Sequence, residues 1–176
     1  MRRLADAPRI GRFLERLGDE ARDETRVYLV GGSSAVLRGW RESTIDVDLK
    51  LVPDSSPLLR ALPGLKEELQ LNVELASPDQ FVPELPGWED RSPFVVRHGH
   101  LSVHHYDFYG QALAKLERGH RQDLDDAAAM ARDGLVRPAR LLELFDGIVG
   151  ELYRYPAVDP PAFRRAVERF VAGLRP

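Results

Sequence analysis

The sequence predicts an α/β (α+β) fold, a mixed sheet flanked by helices and followed by a C-terminal helical lobe. Three observations predict it. Short β-rich or alternating runs, Arg26 to Val30, Ile45 to Leu51 and Leu71 to Leu75, are separated by segments of helical periodicity. Two further runs, Phe94 to Arg97 and Leu101 to Tyr106, flank His98-Gly99-His100 as a hairpin. Beyond Tyr106 only helical patterns follow, so a sheet domain over residues 1–136 is expected to carry a helical extension over 137–176 packed on it.

Each element has its own local reason. Ile10, Phe13, Leu14 and Leu17 recur at i, i+3, i+4, i+7, which makes residues 8–24 an amphipathic helix. Arg26-Val27-Tyr28-Leu29-Val30 is a buried strand that ends at Gly31-Gly32, and Ser33 to Arg38 form a short helix stopped by Gly39. Ile45-Asp46-Val47-Asp48-Leu49-Lys50-Leu51 alternates strictly, so Asp46, Asp48 and Lys50 share one face of a strand. After a Pro/Ser turn, residues 57–69 read as a helix broken near Pro63-Gly64. Leu71 to Leu75 alternates again and places Asn72 beside Glu74. Residues 77–93 hold four prolines and read as an ordered loop. Helices are expected over 109–118, 121–133, 138–153 and 159–173, with Gly119 and Gly134 as stops and Asp159 as an N-cap before Pro160-Pro161.

Composition narrows the function classes. Of 176 residues, 43% are hydrophobic and 30% charged, an ordinary globular balance. There is no cysteine, which excludes disulfides, zinc-finger frameworks and thiol chemistry. No apolar run reaches the roughly 18 residues of a membrane span. Charges follow the opening Met1-Arg2-Arg3 rather than an apolar stretch, so no signal peptide and a cytoplasmic location are expected. Net charge is −3, but residues 45–136 carry 9 basic residues against 16 acidic ones, which suits a cation site in the middle of the chain. The flanks are basic, notably Arg2, Arg3, Arg9, Arg12, Arg164, Arg165 and Arg169, and suit an anionic partner.

The chemistry is concentrated between Val30 and Leu49. A strand that runs through Gly31 and Gly32 into a helix lets backbone N–H groups approach a phosphate, and the Ser33 hydroxyl adds a donor. Asp46 and Asp48, roughly 7 Å apart along a strand, present hard oxygens to Mg²⁺ or Mn²⁺. Two such ions about 3.5–4 Å apart activate an attacking oxygen and stabilise a leaving pyrophosphate. No Gly-Lys-Ser/Thr ends the glycine stretch, so it is not a P-loop, and the third glycine of a dinucleotide fingerprint is missing. Four histidines, His98, His100, His104 and His105, suggest a metal cluster by count. However, the first two flank a turn and the last two point to opposite faces of a strand.

Gly32-Ser33 followed by Asp46-x-Asp48 resembles the signature of the DNA polymerase β-like nucleotidyltransferase superfamily. Leu29-Val30-Gly31-Gly32-Ser33 with Arg41-x-Ser43-Thr44-x-Asp46-x-Asp48 is similar to its minimal and AbiEii-type branch, which includes many toxin–antitoxin proteins. Leu71 to Pro78 resembles the strand that supplies the superfamily's third carboxylate, here Glu74, with Asp107 as the runner-up. Ala112-Leu113-Ala114-Lys115-Leu116 and Arg121-Gln122-Asp123-Leu124-Asp125-Asp126 resemble the Lys-Leu and Arg-x-Lys-Asp-Leu-x-Asp segments of the AbiEii type.

That resemblance implies a nucleotidyltransferase-type sheet and assigns roles. Asp46, Asp48 and Glu74 would hold Mg²⁺ (or Mn²⁺), with Glu74 taking the proton from an attacking hydroxyl. Gly31, Gly32, Ser33, Arg41 and Thr44 would bind a nucleoside triphosphate. Lys115 would neutralise its phosphates, and Asp123 would orient Lys115 or Arg121. The implied reaction moves an NMP from an NTP to an RNA 3′ end such as tRNA or to a protein hydroxyl, alongside a cognate toxin or antitoxin and away from any membrane. The alternative is a non-catalytic nucleotide- or partner-binding member of the same fold.

Overall fold

The computed structural model describes residues 4–174, so Arg2 and Arg3 of the basic N-terminal flank lie outside the described residues. The chain divides into two compact units, Met1–Ser77 with Ser92–Tyr106, and Pro78–Arg91 with Asp107–Pro176.

The first unit holds α1 (Ala7–Glu20), β1 (Thr25–Val30), α2 (Gly31–Leu37), β2 (Asp46–Val52), α3 (Ser56–Leu69), β3 (Asn72–Leu75), β4 (Phe94–His98) and β5 (Leu101–His105). The strands form one mixed sheet in the order β3-β2-β1-β5-β4. β1 is antiparallel to β2 and parallel to β5, β2 is parallel to β3, and β4 is antiparallel to β5. This is the mixed α/β architecture that the alternating runs predict.

One face of the sheet is the core. Val27, Leu29, Val47, Leu49, Leu51, Val73, Leu101 and Val103 pack with Ile10, Phe13, Leu14 and Leu17 of α1 and with Leu58, Leu62 and Leu65 of α3. α1 begins at an Asp6 cap, whose side chain accepts from Arg9 N at 3.0 Å. It stops at Glu20, short of the predicted residue 24: Ala21 turns extended, its N–H donating to Gly18 O, and no large apolar side chain follows until β1. α3 runs unbroken through Pro63. The expected break does not occur because Leu58, Leu62 and Leu65 keep one buried face only if the helix continues. Gly18 lets α1 lie directly on the β4–β5 hairpin, since a Cβ there would overlap the His98 Cβ and stand 2.9 Å from the His98 carbonyl oxygen.

Two buried serines fix α2 against the sheet. Ser33 Oγ lies 2.8 Å from Val30 O and 3.0 Å from Asp48 O. Ser34 Oγ lies 2.7 Å from His105 Nδ1. Burial away from water lowers the His105 pKa to about 4, and the Arg38 charge adds to the effect, so the imidazole is neutral near pH 7.

The second unit holds a 3₁₀ turn (Pro78–Gln80), α4 (Phe108–Arg118), α5 (Arg121–Arg132), α6 (Pro138–Ile148), a second 3₁₀ turn (Val149–Arg154) and α7 (Pro160–Gly173). The proline-rich loop is ordered over buried Val82, Leu85 and Trp88. α6 ends before the predicted residue 153, where Gly147 and Gly150 weaken the helix and the chain tightens into the 3₁₀ turn. No helix among the described residues is long and apolar enough to cross a membrane.

Two outcomes follow for stability. Gly18→Ala should destabilise by about 1–3 kcal/mol through overpacking, although helix propensity alone would favour Ala by about 1 kcal/mol. Urea unfolding checks this, and a more stable variant would refute the close helix–hairpin contact. The second outcome concerns pH. The unfolded chain protonates His105 near pH 6.5 and the folded chain only near pH 4, so stability present above pH 6.5 is lost as pH falls through that window. The loss is about 3 kcal/mol. His105→Gln should flatten this part of the Tm-against-pH curve between pH 7 and 4, and an unchanged slope would reject it.

Candidate functional site

The opposite face of the same sheet carries the carboxylates. Alternation along β2 leaves Asp46, Asp48 and Lys50 half-buried on that face while Val47, Leu49 and Leu51 enter the core. Parallel pairing with β3 sets Asp48 opposite Glu74 and Asp46 opposite Asn72. On the other side Asp48 pairs with Val30, the last residue before the glycines. The sheet thus brings Asp46, Asp48, Glu74 and the β1–α2 turn to one place.

The turn is shaped by its glycines. Gly31 has φ +58°, in the region that L side chains rarely adopt, and a Cβ there would stand 3.0 Å from Asp48 Oδ2. A Cβ on Gly32 would overlap the Thr44 hydroxyl, with the Thr44 Cβ at 2.8 Å and Arg41 Nη1 at 3.5 Å. The two glycines therefore let the backbone of the turn lie directly against the Asp48 carboxylate and the Thr44 hydroxyl, with the Arg41 guanidinium nearby. Thr44 is pinned from outside by Ala5: Ala5 N donates to Thr44 O at 2.8 Å and Thr44 N donates to Ala5 O at 2.9 Å. Its hydroxyl donates to Asp46 O at 3.1 Å, which sets the entry to β2. The Ser33 hydroxyl, by contrast, is fully buried against Val30 O and Asp48 O. The expected role of that hydroxyl as a phosphate donor is therefore taken up by the packing of α2 against β2.

Asn72, which the alternation of β3 places beside Glu74, also meets Asp46. Its Nδ2 donates to Asp46 Oδ1, and Glu74 Oε1 stands 3.3 Å from the same nitrogen. The register that makes this contact depends on which strands pair, which the sequence does not state. Among the described residues no group of three or more His, Asp or Glu is arranged to hold a metal ion. The donors nevertheless suit a hard divalent cation: two carboxylates on one strand face, with the Gly31 backbone lying close to Asp48 Oδ2. Glu74 stands next in register, its carboxylate turned to Asn72.

Lys115 and Asp123 belong to the second unit. Lys115 on α4 is 3% exposed, and its Nζ donates to Asp126 Oδ2 at 2.6 Å and to Asp123 Oδ1 at 3.3 Å. Asp123 also accepts from Arg118 Nη2 at 2.7 Å. A phosphate approaching Lys115 would compete with both carboxylates. Asp126 stands at the last Asp of the AbiEii-like segment and, at i, i+3 from Asp123, shares a face of α5 with it, but the resemblance assigns it no role. Asp107 caps α4 by accepting from Tyr109 N at 3.1 Å. It also receives Arg91 Nε and Nη2 at 3.1 and 2.7 Å. Burial raises the Asp107 pKa and the Arg91 charge opposes that rise. The histidines do not cluster: His100 Nδ1 meets Glu24 at 3.0 Å, His104 stacks near Tyr28 at 5.4 Å, and His105 meets Ser34.

Removing one partner of a buried ion pair strands the other charge. Lys115→Met should therefore cost about 3–5 kcal/mol of stability, measured by urea unfolding. Adding Asp126→Leu to that variant should recover part of the loss. A Lys115→Met protein as stable as the parent would mean that the buried network contributes nothing to folding.

No curated protein and no solved structure matches the chain. A family model described as "Nucleotidyltransferase of unknown function (DUF6036)" matches residues 9–136, from α1 through the segment after α5. That span contains the glycine turn, the β2 carboxylates, Glu74, Lys115 and Asp123, and it is well over half of the sequence. The chain belongs to the DUF6036 family of nucleotidyltransferases of unknown function.

Proposed function

We propose that the protein moves an NMP from a nucleoside triphosphate to a hydroxyl acceptor, with Asp46, Asp48 and Glu74 as the acidic centre. The single observation that carries this reading is the register that sets Asp48 between Val30, at the glycine turn, and Glu74. Asp46 and Asp48 would hold Mg²⁺ or Mn²⁺, and Glu74 would join them through Oε2, the oxygen that Asn72 does not hold. The bound cation supplies charge stabilisation for the phosphates and for the departing pyrophosphate. The backbone of the β1–α2 turn, where Gly31 is partly exposed, would meet phosphate oxygens, with Arg41 and Thr44 beside it. The acceptor oxygen forms a bond to the α-phosphorus while the bond from that phosphorus to the β-bridging oxygen breaks. Pyrophosphate leaves, and the acceptor proton passes to the Glu74 carboxylate.

An RNA 3′ end or a protein hydroxyl is the proposed acceptor class, and a toxin–antitoxin pair is the proposed setting. The support for that setting is the AbiEii-like pattern of Arg41-x-Ser43-Thr44 with Lys115 and Asp123. Arg165 and Arg169, exposed on α7, suit an anionic acceptor. One observation favours the second reading, a nucleotide- or partner-binding member without catalysis: the Glu74 carboxylate is engaged by Asn72 rather than gathered with the Asp pair.

The test is purified protein with Mg²⁺, each of four α-labelled nucleoside triphosphates and total RNA, separated on a gel. Label in RNA or on protein is expected. The Asp46→Asn/Asp48→Asn variant should lose all of it, with Tm unchanged or raised as the repulsion between the carboxylates is relieved. Nucleotide binding without label or pyrophosphate would establish the second reading. A double variant that fails to fold would make the Asp pair structural.

A further inference from the structure

We propose that Asn72 is a positioning residue that aims the Asp46 carboxylate and parks Glu74 beside it. The inference rests on the metal-dependent reading above and deepens it by adding a residue that touches neither nucleotide nor acceptor.

Three observations carry it. First, one nitrogen serves two acids: Asn72 Nδ2 donates to Asp46 Oδ1 and stands 3.3 Å from Glu74 Oε1. Second, the acceptor oxygens it uses leave their partners open. Asp46 Oδ2 and Glu74 Oε2 have no protein hydrogen bond among the described residues. Each acid is thus held by one oxygen and keeps the other for a ligand. Third, strand formation does not explain the residue. β3 is a four-residue edge strand paired only with β2, where Asn is disfavoured and a β-branched residue would serve better.

The amide also has the right charge. Two carboxylates brought together repel, and a Lys or Arg between them would neutralise the pair and compete with a cation for the same oxygens. An amide donates while adding no charge, so it fixes orientation and leaves the negative potential intact. Groups that hydrogen-bond a metal-ligating carboxylate set its direction in this way, and their loss typically weakens binding about 10–100-fold.

The experiment titrates the full chain with Mn²⁺ alone, followed by calorimetry and by the free-Mn²⁺ electron paramagnetic resonance signal. It compares the parent with Asn72→Leu, which keeps the volume and removes the donor, Asn72→Ala, and Asn72→Gln, which keeps a donor. The expected result is Mn²⁺ binding weakened about tenfold or more in the Leu and Ala variants with Tm within a few degrees of the parent, and partly restored in the Gln variant. If either variant fails to fold, the other is read. Parent-like Mn²⁺ affinity in a folded Leu or Ala variant overturns the role of Asn72 and leaves the transferase reading standing. A parent that binds no Mn²⁺, with or without a nucleoside triphosphate, overturns the metal-dependent reading and this inference with it.

Discussion

The register of β2 is the constraint on which the rest of the first unit depends. Val47, Leu49 and Leu51 face the core and Asp46, Asp48 and Lys50 face away, so a slip of one residue would exchange the two sets. Such a slip would bury two carboxylates and expose three large apolar side chains, a change costing many times any single contact. The apolar half of the alternation therefore fixes where the acids stand. Neighbouring strands then translate that position sideways, to Val30 on β1 and to Glu74 and Asn72 on β3.

The turn between β1 and α2 adds a second layer to the same constraint. Ser33 lies against Asp48 O from inside while Thr44 reaches Asp46 O, so the backbone beside both acids is held by neutral hydroxyls. Ser34 extends this grip to β5 through His105. The glycines then do what no other residue could at those positions: Gly31 adopts a left-handed φ, and Gly32 passes so close to Thr44 that a side chain would not fit. Hydroxyl anchors and close-packed glycine backbone are thus built from adjacent residues.

Much of this is readable from the amino-acid order, because strict alternation and a strand-to-glycine transition are local signals. The alternation of Ile45 to Leu51 identifies both the strand and its polar face without any knowledge of partners. Contacts set by pairing are not readable in that way. Asn72 stands beside Glu74 by alternation alone, but its contact with Asp46 exists only because β3 runs parallel to β2 in one particular register. Asp126 is similar, since nothing in a helix spacing says which cation of another helix it meets. Pro63 shows the converse: its local rule predicts a break, and three buried leucines on one helix face override it. The Ser33 hydroxyl also reads as a phosphate donor from its place in the motif, and only its surroundings show it turned inward.

Two sets of carboxylates are answered by opposite means, and the contrast bears on the proposed function. In the second unit Asp107 meets Arg91, and Asp123 and Asp126 meet Lys115 and Arg118, so buried negative charge is cancelled where it arises. Such pairing locks a packing arrangement and leaves little potential to act on a ligand. In the first unit Asp46 and Glu74 meet only the amide of Asn72 among the described residues. Their charge is oriented but not neutralised, so the electrostatic deficit persists at the surface next to the glycine turn. A fold gains no stability from leaving like charges together, and a polar pair of the same shape would be cheaper to keep. Asp46 and Glu74 thus keep a charge that suits the cation proposed above, whereas the acids of the second unit hold helices together.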